Sequence, residues 1–349
     1  MRVVVVGASG NVGTSVLEAL AEEPAVEEIF GLARRLPDLA MPKVQWSRAD
    51  VTEDNLVNHF RGADAVVHLA WAIQPSRDEA VMERINLFGS RRVFAAVEAA
   101  EVPALVYASS VGAYSAGPKD RRVEESWPTA GIPSSAYSRH KATVERALDE
   151  FEARLPDVRV VRLRPGLIFK AESASEIRRL FLGPLLPNRL VDPRLIPFVP
   201  RVPRLRFQAV HSRDVGEAYR LAVIGDARGA FNVAAEPVIG PAELATLLGA
   251  REVPVSPRVL RRAADLSWRL RLQPADAGWI DMALGVPLMD TTRARAELGW
   301  EPRATSLEAL EELLRGLREG RGMQTPPLDR HAGGRARIGE FATGIGQRQ

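Results

Sequence analysis

Residues 3–13 read VVVVGASGNVG, and the reading of this stretch decides the fold. Four consecutive valines predict a buried strand over Arg2–Val6, and glycines 7, 10 and 13 follow at once, leading into a helix over 12–22. Strand, glycine turn and helix in this order are what a dinucleotide site needs, although the spacing alone also occurs in βα turns without a ligand. Gly7 lets the chain turn sharply, Gly10 lets the backbone approach a pyrophosphate, and Gly13 lets the helix pack close to the sheet. Backbone N–H groups and the positive helix end then hold the anion.

Working outward, further apolar runs predict strands at Glu28–Leu32, Val44–Ser47, Ala65–Leu69, Ala104–Ala108 and Val158–Leu163, with helices near 78–100 and 136–154. Continuous apolar strands separated by helices indicate a parallel sheet covered on both faces. Right-handed crossovers then give an α/β, Rossmann-type doubly wound sheet whose ligand lies at the carboxyl ends of the strands. After residue 166 the rhythm changes, and residues 183–206 are dense in proline and arginine. A strand–helix pair is expected over Phe207–Ile224, with helices near 241–249, 257–271 and 291–320. The expected organisation is a dinucleotide-binding domain over 1–166, with 207–235 returning to it. A smaller, mostly helical C-terminal substrate lobe takes 167–206 and 236–320, and a disordered basic tail takes 321–349.

The 349 residues are 46% hydrophobic and 26% charged, the balance of a globular chain with a large core. The net charge of +3 is accounted for by the tail, where residues 321–349 hold five arginines and two acids. No basic face with groove-reading side chains stands elsewhere, which argues against a nucleic-acid partner. No window approaches the ~20 apolar residues of a membrane span, so no membrane role is expected. The apolar run at the N-terminus is too short for a signal peptide, and cysteine is absent, which excludes disulfides and thiolate metal sites. A cytoplasmic protein is the expectation, and the histidines show no metal-ligand spacing, so no metal is expected.

An NAD site would place an acid after the second strand to meet the adenosine ribose. Here the strand runs out as GLARRLP, with Arg34 and Arg35 and no carboxylate. Planar guanidiniums suit a 2′-phosphate, so NADP(H) is the preferred cofactor, with NAD(H) as the other possibility. The alternative is a solvated charge pair at a strand end.

The chain has four lysines against 43 arginines, and one of them, Lys141, stands four residues after Tyr137 in YSRHK. On a helix, i and i+4 share a face, so phenol and ammonium would point together. An ammonium beside a phenol favours the phenolate and makes the tyrosine a usable general acid or base. An ordinary surface pair has the same spacing. The strand ALVYASS, however, also delivers Ser109 and Ser110 to a carboxyl edge, where a hydroxyl can steady charge developing on a substrate oxygen.

With these pieces in place the chain resembles the extended short-chain dehydrogenases/reductases, the NAD-dependent epimerase/dehydratase family. The resemblance is carried by GASGNVG, Ala49–Asp50, VVHLA, INLFGS, YASSVGAY, YSRHK, LRPG, HSRDV, FNVA and DTTRARAELGW, in that order. It implies Ser110, Tyr137 and Lys141 as the catalytic set, Ser110 fitting the family's spacing to Tyr114. It implies cofactor contacts from Gly7, Ser9, Gly10, Asn11, Val12 and Gly13. Asp50 and Val51 would lie by the adenine, Leu69 and Ala70 along the dinucleotide, and Asn86 and Pro165 near the nicotinamide, with Trp71 and Ser109 as further cofactor contacts. His211 and Asp214 match a segment that is usually structural. Related proteins often pair through two helices, and 78–100 and 136–154 are the corresponding stretches for a homodimer.

The substrate is less legible. Sugar-nucleotide members usually carry an asparagine soon after the LR step, where this chain has Leu167, and Trp71 follows HLA where a small residue is usual. The excursion supplies Leu185, Leu186, Leu195, Ile196, Phe198 and Val199, an apolar wall for a small carbonyl or hydroxyl compound. Arg189, Arg194, Arg201 and Arg204 lie on the same segment and could grip phosphates. The expected function is therefore an NAD(P)-dependent oxidoreductase. The alternatives are a nucleotide-sugar epimerase or dehydratase that recycles its cofactor, and a non-catalytic redox sensor, for which an intact Ser–Tyr–Lys set would be unnecessary.

Overall fold

Val3 to Val6 are buried on both faces, as a central strand of a covered parallel sheet requires. The protein is described by a computed structural model over residues 1–74, 77–182 and 196–330. Seven strands make the main sheet: β1 (Arg2–Val6), β2 (Glu28–Ala33), β3 (Val44–Arg48), β4 (Ala65–His68), β5 (Ala104–Ala108), β6 (Arg159–Pro165) and β7 (Gly229–Val233). They lie in the order β7-β6-β5-β4-β1-β2-β3, and every pairing is parallel. The order reverses between β1 and β4, which opens the crevice where a doubly wound sheet takes its ligand.

The longer helices are α1 (Asn11–Glu22), α2 (Gly89–Ala99), α3 (Ala136–Arg154), α4 (Ser212–Ile224), α5 (Pro241–Leu248), α6 (Pro257–Arg269), α7 (Ala277–Gly285) and α8 (Ser306–Glu319). Side chains alternate across a strand, so Val3 and Val5 join a core with Leu17 and Leu20 of α1 and Tyr219 of α4. Val4 and Val6 join a second core with Phe94 of α2 and Leu148 and Phe151 of α3. Each fully buried valine contributes about 2 kcal/mol of transfer free energy.

The expected elements are present, with instructive differences. The helix expected over 78–100 is interrupted by a π-turn at Arg84–Phe88. The stretch 291–320 is two helices, Thr292–Leu298 and α8, separated at Gly299 in the left-handed region with φ 66°. Of the segment 207–235, only β7 joins the main sheet; Ala209–His211 pairs instead with Leu167–Phe169 in a two-stranded sheet of their own. Residues 321–330 of the expected tail are packed against the protein. Leu328 is fully buried, its carbonyl accepts from Ser175 Oγ at 2.7 Å, and Pro327 O accepts from Arg179 at 2.6 Å. Leu185, Leu186, Arg189, Arg194, Leu195 and residues 331–349 lie outside the described residues. Among the described residues no helix is long and apolar enough to cross a membrane.

Candidate active site

The glycine loop has the geometry its spacing implies. Gly7 has φ +85°, and a Cβ there would stand 2.7 Å from Ala70 N, so loop and β4 exit are in backbone contact. Leu69 N donates to Val6 O at 2.8 Å, fixing that exit against β1. A Cβ on Gly13 would lie 2.5 Å from the Gly7 and Ala8 carbonyls, so α1 sits tight on the turn. Gly10 differs: the nearest atom to its Cβ position would be Gly7 O at 3.7 Å, so the space over it is open. An open cradle over Gly10 at the start of α1 fits a pyrophosphate. Ser9 and Val12 line the same turn. Asn11 ties it to the lobe, donating to Ile168 O at 3.3 Å, and Lys170 Nζ donates to Asn11 O and Thr14 Oγ1 at 2.9 and 2.6 Å.

Arg34 and Arg35 lie exposed just past β2. Burial lowers the Arg35 guanidinium, and the like charges of Arg34 and Arg179 lower it further. Asp50 follows β3; burial raises its carboxyl, but hydrogen bonds from Thr52, with Arg34 and Arg84 nearby, more than offset this and leave it low. Val51 is buried against α2, where a Cβ on Gly89 would meet it at 2.6 Å.

At the carboxyl edge of β5 the backbone leaves through Ser109 and Ser110 into a 3₁₀ turn over Val111–Ala113. Ser110 Oγ accepts from Gly112 N at 3.0 Å, and its hydroxyl proton turns to the Tyr137 phenol, the sense that lowers the phenol's pKa. Gly112 permits this contact: a Cβ there would stand 2.8 Å from the Tyr137 ring. Ser138, next along α3, donates to Gly112 O and accepts from Ile132 N at 2.7 Å, stapling the serine turn to the helix that carries the tyrosine. Sequence reasoning passed over both residues, although they interleave with the motifs SSVGAY and YSRHK.

Lys141 is buried, and its Nζ donates to Ala108 O at 2.6 Å. It stands 3.5 Å over the Trp71 ring and 5.9 Å from the centre of the Tyr137 ring. The expected lowering of the phenol by the ammonium is absent in this state. Burial raises the Tyr137 phenol to about 12 and only the Ser110 hydrogen bond pulls it back. Burial likewise lowers Lys141 well below its usual range, with the Glu145 carboxylate pulling it back up. The reason is geometric, because the ammonium faces a carbonyl and an indole rather than the phenol.

Asn86 sits in the π-turn, where helices often carry functional groups. Its amide accepts from Ala72 N at 2.7 Å and donates to Ala72 O at 2.9 Å, holding the segment that presents Trp71. His140 Nδ1 lies 3.4 Å from the same amide, with Glu79 and Glu83 around its other nitrogen. Asn86 Nδ2 can only donate, so Nδ1 accepts and Nε2 carries the hydrogen; Nε2 stands 3.4 Å from Glu79 and 3.9 Å from Glu83 without a hydrogen bond to either. Pro165 ends β6, buried beside the next turn. His211 caps α4 and pairs with Glu312 at 3.2 Å, and Asp214 accepts from Ala304 N at 3.1 Å.

Two features came only with the structure. Trp279 of α7 lies on the Tyr137 ring, centroids 5.0 Å apart, while Trp71 meets the same ring edge-on at 6.0 Å and Phe181 meets Trp279 at 4.9 Å. These rings form an aromatic wall at the site; of the excursion's described apolar residues, Phe198 is 58% exposed and Val199 is buried. Arg204 is committed to Leu284 O and Gly117 O at 3.1 and 2.7 Å. Beneath the serines, Glu145 accepts from Ser109 Oγ, from Arg162 at 3.0 Å and from Arg164 at 2.8 and 2.9 Å.

A doubly wound parallel sheet with serine, tyrosine and lysine gathered at its carboxyl edge defines an extended short-chain dehydrogenase/reductase. The sequence profile of the NAD dependent epimerase/dehydratase family matches residues 3–182, and the chain belongs to that family. It is similar to an uncharacterised Mycobacterium tuberculosis protein, 27% identical over 99% of this chain and 90% of the other. It is similar to the Candida albicans sterol-4-alpha-carboxylate 3-dehydrogenase, decarboxylating, at 27% identity over 48% of this chain and 50% of that one. Among solved structures, the NAD complex of Thermus thermophilus UDP-glucose 4-epimerase superposes with a TM-score of 0.67 at 23% identity, covering 91% of this chain and 99% of the other, a likeness of fold.

Proposed function

We propose that this chain is an NADP(H)-preferring oxidoreductase that transfers a hydride between the nicotinamide and the carbonyl or carbinol carbon of a small substrate with an apolar body. The observation that carries the reading is the Tyr137 phenol, hydrogen-bonded by Ser110 and walled by Trp279 and Trp71. Aromatic walls favour an apolar body over a sugar diphosphate. The Candida albicans relative, by its name a sterol 3-dehydrogenase, is consistent with this.

A dinucleotide on the glycine cradle supplies the hydride donor or acceptor. With substrate bound, Ser110 would turn its hydroxyl proton from the Tyr137 phenol to the substrate oxygen and steady the charge that develops there. Tyr137 gives that oxygen a proton in reduction and takes it back in oxidation. A phenol near 12 is protonated at neutral pH, so the resting site is set to donate, the direction of carbonyl reduction. Trp279, Trp71 and Phe181 keep water from the reacting oxygen.

NADPH consumption with a panel of aromatic and aliphatic ketones and aldehydes tests the reading. Conversion of nucleotide sugars without net cofactor change would replace it by the epimerase or dehydratase reading, and tight dinucleotide binding with no turnover would favour a sensor. Cofactor preference rests on Arg34 and Arg35, like charges that an added phosphate would relieve. Arg34→Ala should reduce the NADPH-over-NADH affinity ratio by roughly tenfold or more, the worth of one charge-assisted hydrogen bond. Identical ratios in wild type and variant would remove Arg34 from the role.

A further inference from the structure

The helix α6 turns its most apolar stripe away from the protein. Val259, Leu266 and Leu270 are 58%, 58% and 60% exposed, and Ala263 between them is exposed too. At positions i, i+4, i+7 and i+11 they form one continuous stripe. The opposite face, with Leu260, Ala264 and Trp268, is the one that meets the protein, and no residue of the helix is fully buried. Arg258, Arg262 and Arg269 run in a row beside the stripe, all exposed. Over residues 257–272 there are five arginines and one acid, Asp265, which pairs with Arg269 at 2.9 Å. Arg261 pairs across to Asp281 of α7 at 2.9 Å.

We propose that α6 seats this protein on an anionic lipid surface, the stripe entering the headgroup boundary and the arginine row meeting lipid phosphates. An apolar face flanked by arginines on a short helix is the pattern of a helix that lies in the interface plane. It departs from the sequence expectation of no membrane role, which rested on the absence of a membrane-spanning segment alone. A second copy of the chain fits the stripe poorly. Two such helices face to face would line the seam with arginines, and Asp265 is already paired. Four small side chains also fall short of the ~800 Å² per partner of a stable interface. The chain continues from α6 through residues 270–276 into α7, so the seat belongs to the lobe that carries Trp279.

The experiment is flotation of the full-length protein with phosphatidylcholine vesicles, with and without phosphatidylglycerol. Wild type should float with the phosphatidylglycerol vesicles, remain behind with phosphatidylcholine alone, and be released by added salt. The double variant Leu266→Glu, Leu270→Glu should lose binding. Because both residues are exposed, it should keep the wild-type circular dichroism spectrum. The double variant Arg258→Ala, Arg262→Ala should bind at least about tenfold more weakly. Equal flotation with both lipids, or binding that survives the leucine changes, would overturn the proposal. So would a wild-type dimer in solution that those changes convert to monomer, since a second copy would then cover the stripe.

Discussion

Replacing Tyr137 by phenylalanine should lower kcat about a thousandfold and leave dinucleotide affinity within about twofold of wild type. The substitution removes one oxygen. The ring keeps its contacts with Trp279 at 5.0 Å and Trp71 at 6.0 Å, and its fit against Gly112, so the wall of the site stays in place. What is lost is the group proposed to exchange a proton with the substrate oxygen. A fluorescence titration with NADPH beside steady-state turnover separates the two effects. Turnover retained at more than a tenth of wild type would take Tyr137 out of the acid/base role.

The same phenol fixes a pH dependence. Burial holds it up at about 12, so at neutral pH it is protonated and a phenolate is scarce. Oxidation of an alcohol needs the phenolate and should accelerate with rising pH. Reduction of a carbonyl needs the phenol and should stay flat until the solution nears its pKa. Parallel profiles in the two directions would mean that another group carries the proton.

Sequence patterning makes the sheet legible because its strands are local: Val3 to Val6, Ala65 to His68 and Ala104 to Tyr107 are each continuous buried runs. The glycine loop is legible for the same reason, since its three functions act within seven residues. The electrostatics of the tyrosine and lysine are not. Spacing places both side chains on one helical face, but whether the ammonium meets the phenol depends on Ala108 O and the Trp71 indole, which arrive from two strand ends. Trp279 was unreadable, because nothing within α7 distinguishes a tryptophan that packs on a catalytic ring from one in a core. Glu145 could have been found: it continues the ladder of Tyr137 and Lys141 by four more residues and faces the same edge.

That glutamate carries the second large effect. Burial alone would raise its carboxyl, but hydrogen bonds and charge from Arg164, the charge of Arg162 and the Ser109 hydroxyl more than offset burial, leaving it at about 2 against an ordinary 4.5. A depressed pKa means that the folded state favours the ion, so the stabilisation is complete above pH 4.5 and disappears as pH falls toward 2. Its size is on the order of 3 kcal/mol. Glu145→Gln should cost about that much at neutral pH, because Arg164 is left buried without a carboxylate, while Arg162 keeps Asp149 at 2.6 Å. The expected fall in Tm is roughly 4 °C, with a shallower acid limb below pH 4.5 because the titrating group is gone. The Glu145 charge is also what pulls the Lys141 pKa back up against burial. In the variant the ammonium should therefore lose its proton at a lower pH, and dinucleotide affinity should fade earlier on the alkaline side. A variant with wild-type Tm and an unchanged acid limb would mean that the buried arginines find equal partners elsewhere, and an unchanged alkaline profile of dinucleotide affinity would mean that the charge beneath the serines has no hold on the lysine above it.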